Sequence, residues 1–176
     1  METVTITISR ASVLADMRVT SHGEVAGIGD DKARYLAELG TEKLPEANQC
    51  ITDAATEVTG ILRPHLAGTT ATTATDPYDT TATITYALQV PPRKVPGLAD
   101  AMAKAIHAYI VDSALGRFYV SVSRPDLAEP HRARLSGEMA TMDNILYRRA
   151  APAYVRPVPP TPTPDNEGTD DNDTQG

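Results

Sequence analysis

PGLADAMAKAIHAYIVDSALGRFY, from Pro96 to Tyr119, is the most hydrophobic helical pattern in the chain, and its reading decides the fold. A proline suits the first turn of a helix, where a missing N–H costs nothing. Leu98, Met102, Ala105, Ile106, Tyr109 and Ile110 follow at helical spacing over a wide arc of the cylinder. A helix apolar over so wide an arc needs neighbours on several sides, so the pattern predicts a central helix over about 97–119.

Working outward, Ser123-Arg124-Pro125-Asp126 supplies a break and a fresh cap. The last helix then runs to about Arg149, with Leu135, Met139, Met142 and Ile145/Leu146 as its apolar stripe. Arg148 and Arg149 in its final turn would complement the helix dipole, and Pro152 stops it. Upstream, Pro45 to about Leu66 carries Ala47, Ile51, Ala54, Val58 and Ile61/Leu62 on one face, with Pro64 ending or kinking it. Ser9 or Ser12 can cap a short helix to about Thr20, and Asp30 or Asp31 another that ends before Gly40.

Two segments change period from helical to alternating. Val4, Ile6 and Ile8 alternate with Thr3, Thr5 and Thr7; Ile84, Tyr86, Leu88 and Val90 alternate with Thr83, Thr85, Ala87 and Gln89. Period-2 alternation of β-branched residues marks half-buried strands near 3–8 and 81–90. The two could pair with each other or extend a sheet shared between subunits, because a lone two-stranded ribbon is marginal in water. The Thr/Ala run from Thr69 to Thr75 reads as an exposed loop.

The expected architecture is therefore mainly α: a small helical bundle with two short strands over residues 1–152. A disordered, Pro-rich and acidic tail follows over 153–176, with almost nothing to bury. Aromatic residues are only 5% of the chain, with no Trp and one Phe, so the core must be aliphatic and small, which suits close-packed helices.

The net charge is −7, but five acids and one base lie from Arg156 onward, leaving 15 basic against 18 acidic residues elsewhere, about −3. A nearly neutral body lacks the clustered basic surface that phosphate contacts need, so no specific nucleic-acid binding is expected. No apolar run reaches the roughly 20 residues of a membrane span, so no membrane partner is expected. Cys50 is the only cysteine, so no internal disulfide can form, and the opening Met1-Glu2-Thr3 has no leader-like character. The expectation is a soluble protein made inside the cell.

Chemistry is sparse. His22, His65, His107 and His131 form no metal-ligand spacing. His107 reads as a satisfied core or interface histidine. His65 and His131 each adjoin a proline near a helix end, where capping or solvent contact is the plain reading. Gly27-Ile28-Gly29 lacks the third glycine of a nucleotide fingerprint and reads as a turn. Cys50 falls on an apolar helix face and reads as an inert thiol. The acidic tail lacks the ligand order of a calcium loop. No catalytic, cofactor-binding or metal-binding residue is therefore expected, and the chain reads as non-enzymatic.

One resemblance bears on function. Asp53-Ala-Ala-Thr-Glu-Val-Thr-Gly-Ile-Leu62 precedes a variable loop; a proline-started, Ala-rich helix with Ala105-Ile-His-Ala-Tyr-Ile110 follows; a last amphipathic helix ends at Leu146-Tyr-Arg-Arg149. This order resembles the head–tail connector (adaptor) proteins of tailed bacteriophages, including the Mu-like group, and the opening Glu2 to Arg10 looks like small structural proteins from prophages of gut Bacteroidetes. The resemblance implies a structural subunit of the virion, present in the host cytoplasm during assembly. It would form a homo-oligomeric ring between the portal and the tail or neck proteins. Other phage neck or tail-completion roles, and a small helical regulatory or ligand-binding module, are the alternatives. As contact elements the sequence points to Val4, Ile6, Ile8, Ile84, Tyr86, Leu88, Arg148 and Arg149. An intrachain sheet and plain charge complementarity at a helix end compete with that reading.

Overall fold

Every threonine of the first alternating segment points one way and every aliphatic residue the other, and that segregation holds in three dimensions. In a computed structural model, residues 2–68, 71–72, 79, 81–90 and 96–149 are described. Strand β1 (Glu2–Ser9) buries Val4, Ile6 and Ile8 and exposes its threonines. The tail segment 153–176 and the boundary at 152 lie outside the described residues.

Ser9 ends the strand and caps helix α1 (Arg10–Val25), its hydroxyl accepting the Ser12 N–H. This helix runs five residues past the expected end at Thr20. Ser21 explains the extension: its buried hydroxyl donates to the Ala37 carbonyl and accepts the Leu39 N–H, tying the far end of α1 to the next helix. That helix, α2 (Asp31–Ala37), starts at an Asp30 cap as expected. The Lys43 ammonium closes its other end by donating to the Tyr35, Leu36 and Glu38 carbonyls at 2.6, 3.0 and 2.7 Å.

Helix α3 (Leu44–Leu62) carries Pro45 in its first turn and buries Ala47, Ile51, Ala54, Ala55, Val58 and Leu62. Pro64 falls in a short 3-10 turn (Arg63–His65), so the helix ends four residues before the expected Leu66. Two residues of the Thr/Ala run, expected as a loop, instead form strand β2 (Ala71–Thr72), paired with strand β3 (Thr83–Val90). Backbone groups along a strand edge need partners. The outer edge of β3 finds them in these two residues, in Leu66 opposite Leu88, and in the Ala67 N–H bonded to the Ala87 carbonyl at 2.8 Å.

The sheet is antiparallel throughout, in the order β1-β3-β2. Glu2 lies opposite Val90 and Ser9 opposite Thr83, which decides the open question of pairing in favour of one chain. Tyr86 crosses from the sheet to α3, its hydroxyl donating to the Ala55 carbonyl at 3.1 Å.

Helix α4 (Leu98–Ser121) starts after Gly97, whose φ of 78° is a left-handed entry that suits glycine. It is the central helix its arc predicts: it packs on α1, α3, β1 and helix α5 (Pro125–Tyr147). The α4–α5 turn is a Schellman closure, with Arg124 N–H on the Tyr119 carbonyl at 2.7 Å and Ser123 N–H on the Val120 carbonyl at 3.0 Å. Ser123 takes the left-handed position, φ 59°. The expected fresh cap is not made by a side chain: Arg124 is the N-cap, and it grips Asp126 in the first turn at 2.6 and 2.9 Å. The architecture is a mainly helical bundle with a small antiparallel sheet on one side, as the periodicities predict.

Candidate functional site

The apolar stripe of α5 departs from its expected membership. Ala128, His131, Met142 and Leu146 are buried and Leu135 is half-buried, while Met139 is 38% exposed. The inward row therefore runs 128, 131, 135, 138, 142, 146, and two of its members are ionisable: His131 and Glu138. Beside Pro130, His131 reads in the sequence as a capping or solvent-facing residue. Instead it is 0% exposed, because α5 continues through Pro130 and turns the next residue onto α4.

Both ring nitrogens of His131 are committed. Nδ1 meets Asp112 Oδ1 of α4 at 2.5 Å, and Nε2 meets Glu24 Oε1 of α1 at 3.0 Å. Tyr119 stacks beside the imidazole, ring centroids 5.7 Å apart, and donates its hydroxyl to Glu24 Oε2 at 2.6 Å. Arg134 reaches Asp112 from the solvent side at 3.4 Å. One imidazole thus fastens three helices through two carboxylates.

Burial opposes charge on His131, but the hydrogen bonds to Asp112 and Glu24 and their negative charges outweigh it and raise its pKa. Burial likewise works against the Asp112 carboxylate. Hydrogen bonds with His131 and Glu138, and the charges of His131 and Arg134, hold it below its ordinary range nonetheless. Glu138 lies on the other side of Asp112. Burial, then its hydrogen bond to Asp112 and repulsion from that carboxylate, push its pKa up to about 8. Its Oε2 is buried with no hydrogen-bond partner among the described residues, which also favours the neutral acid.

This cluster is the closest thing to reactive chemistry in the described residues, and its geometry is that of a brace. The imidazole is sealed and has no free nitrogen for a substrate. Among the described residues, no group of three His, Cys, Asp or Glu side chains is placed to hold a metal ion. Cys50 is buried, and burial lifts its thiol to about 11, the inert state expected of it.

His107 is not a core residue. Its ring stands at the molecular rim, side chain 23% exposed, with Nε2 on Asp16 Oδ2 at 2.7 Å. His65 lies near the end of α3 as expected, edge-on to the Tyr147 ring with centroids 5.6 Å apart.

The sequence-derived contact residues separate into two groups. Val4, Ile6, Ile8, Ile84, Tyr86 and Leu88 are brought together, all 8% exposed or less, but as one face of the intrachain sheet turned into the core. β1 leaves its threonine face exposed, and among the described residues its edge away from β3 pairs with no strand. Arg148 and Arg149 are not in the last turn of α5, which ends at Tyr147 and has no basic residue in that turn. Arg148 instead walls a small hollow with Pro96, Gly97, Leu98, Ala101 and Ile145, about 140 Å³ in volume. Arg148 is the C-cap of α5, its N–H on the Asn144 carbonyl at 3.0 Å, and so stands at the negative end of the helix dipole.

A second buried cation escaped the sequence reading. Arg10, 1% exposed, starts α1 inside the molecule, where its guanidinium donates to Thr52 Oγ1 of α3 at 3.0 Å. Nothing in its sequence neighbourhood separates it from a surface arginine. The signal for the His131 brace was present: two polar residues fall in phase with the α5 stripe. No described helix is long and apolar enough to cross a membrane. No family model matches the chain, and no curated protein or solved structure matches it.

Proposed function

We propose that this protein is a non-enzymatic assembly subunit, and within that class a head–tail connector that joins a portal to tail or neck proteins as a ring. The observation that carries the assembly reading is β1: an eight-residue strand at the rim of the sheet whose outer edge pairs with no described strand. Edges of that length are usually blunted or covered in proteins that work alone. The His131 brace supports the same reading, because it turns the strongest acid–base cluster into a rigid clamp between helices. The connector assignment comes from the resemblance in helix order. In such a role the protein would belong to the virion and pass through the host cytoplasm while particles form.

A ligand-binding module is the competing reading, and it calls for an enclosed pocket of roughly 300 Å³ or more. Among the described residues, the hollow beside Arg148 is about 140 Å³. Larger grooves, such as the one of about 740 Å³ near Arg63, lie open to solvent.

The test is mass determination by light scattering on the full chain, alone and mixed with the portal protein encoded at the same locus. A ring or a stoichiometric complex supports the connector. A mass indifferent to the portal overturns it.

A further inference from the structure

We propose that helix α5 is a pH-gated arm: it lies locked on α4 while the His131 ring carries both of its protons, and swings out about the Val122–Arg124 turn once the ring loses one. The device is independent of the assembly reading and of any phage role.

The lock follows from the two partners of one ring. Nδ1 faces Asp112 of α4 at 2.5 Å and Nε2 faces Glu24 of α1 at 3.0 Å. An ionised carboxylate only accepts hydrogen bonds, and a neutral imidazole has one N–H to give. The neutral ring must therefore turn a lone pair on one of the two carboxylates, with its side chain 0% exposed and no water to intervene. Only the imidazolium satisfies both.

The other groups around the ring do not oppose this. Tyr119 of α4 donates to Glu24, and burial holds its hydroxyl protonated. From α5 itself, Arg134 reaches Asp112 on the solvent side and Glu138 lies on the other side of that carboxylate. Glu138 favours its neutral form while buried there, so its ionisation sets a second negative charge against Asp112 and pushes the same way.

What gives way is α5. Of its 23 residues, the buried apolar ones are Ala128, Met142 and Leu146, and among the described residues it packs mainly on α4. Pro130 removes a backbone hydrogen bond inside the helix, one residue before the lock. The joining turn holds Ser123 at φ 59°, an unfavourable conformation for a serine. A helix with a thin apolar seat, a weakened first half and a strained hinge opens before the whole fold does. Opening uncovers the face of α4 that carries Asp112, Gly116 and Tyr119.

The experiment is amide hydrogen exchange on the full chain between pH 6 and 9, corrected for intrinsic rates, with the His131 ring nitrogens followed by NMR. At pH 6 both ring nitrogens should carry protons. Protection of α5 should fall by roughly tenfold or more as one of them leaves, and should stay below that of α3 throughout. His131→Gln should show at pH 6 the low α5 protection that wild type reaches at pH 9. Gly116→Cys with His131→Cys replaces the lock by a crosslink, since their Cβ positions lie 3.8 Å apart, within disulfide range. Once oxidised, that variant should protect α5 as well as α3.

A ring that is neutral at pH 6 overturns the inference. So does wild-type α5 protection that equals that of α3 at every pH, or that holds steady while the ring titrates. An α5 whose exchange ignores the crosslink frays instead of swinging, and that result overturns the hinge.

Discussion

His131 is the residue on which three helices agree. Removing its ring with His131→Ala leaves Asp112 and Glu24 facing each other with no cation between them. Breaking a buried ion pair on one side costs about 3–5 kcal/mol, and the lower end is expected because Glu24 keeps 27% side-chain exposure to water. Urea unfolding at neutral pH measures it; a loss under about 1 kcal/mol would mean the brace is no stronger than a surface pair.

The same site sets a pH dependence. His131 has a folded pKa above 6.5, so its stabilisation is complete below pH 6.5 and is lost as pH rises through the raised value. Glu138 has a folded pKa of about 8 against 4.5 unfolded. The fold therefore prefers the neutral acid, and stability falls as pH climbs from 4.5 to about 8. Asp112 acts the other way, stabilising above pH 3.8 and losing that contribution as pH falls through its lowered folded value. Melting temperatures should accordingly decline from pH 6 to 9. Glu138→Gln should flatten that decline and melt above wild type at pH 9; a variant that tracks wild type at both ends would contradict the assignment. None of this was read from sequence, although the phase of His131 and Glu138 in the α5 stripe was visible. Partners 19 and 107 residues away, Asp112 and Glu24, exist only once α1, α4 and α5 are packed.

At the scale of elements, local chemistry decided most boundaries and tertiary contacts moved the rest. The Asp30 cap, Pro45 and the two alternating runs placed α2, α3, β1 and β3 within a few residues. The end of α1 was missed because Ser21 finds its partners in a different helix. Strand β2 was missed because two threonine-run residues pair only where β3 offers an edge. The α4–α5 turn gives a clean test. Ser123 sits in the left-handed region, which costs a non-glycine residue roughly 1 kcal/mol, so Ser123→Gly should stabilise the fold by about 0.5–1 kcal/mol. Gly60 is exposed inside α3, and a methyl group added there would meet nothing within 4 Å. Gly60→Ala should therefore add a similar amount through helix propensity, roughly 0.5–1 kcal/mol. Calorimetric melts of the two single variants and the double variant check both, with additive gains expected because the sites share no partner.

For the whole molecule, the fold class was legible because the apolar arc of α4 requires neighbours on several sides and the two alternating runs mark strands. The distinction between a strand that pairs within the chain and one that pairs between chains was not legible. Among the described residues, β1 uses one edge for β3 and pairs with no strand on the other. That edge, among the described residues, and the resemblance in helix order are what support the proposal that such a braced bundle is a subunit to be joined, with the portal as its partner. Light scattering on the full chain, before and after addition of the portal protein from the same locus, tests that claim most directly. A connector should give a new species of fixed stoichiometry, either a ring or a chain–portal complex. A mixture whose masses are simply those of the two separate proteins would contradict it.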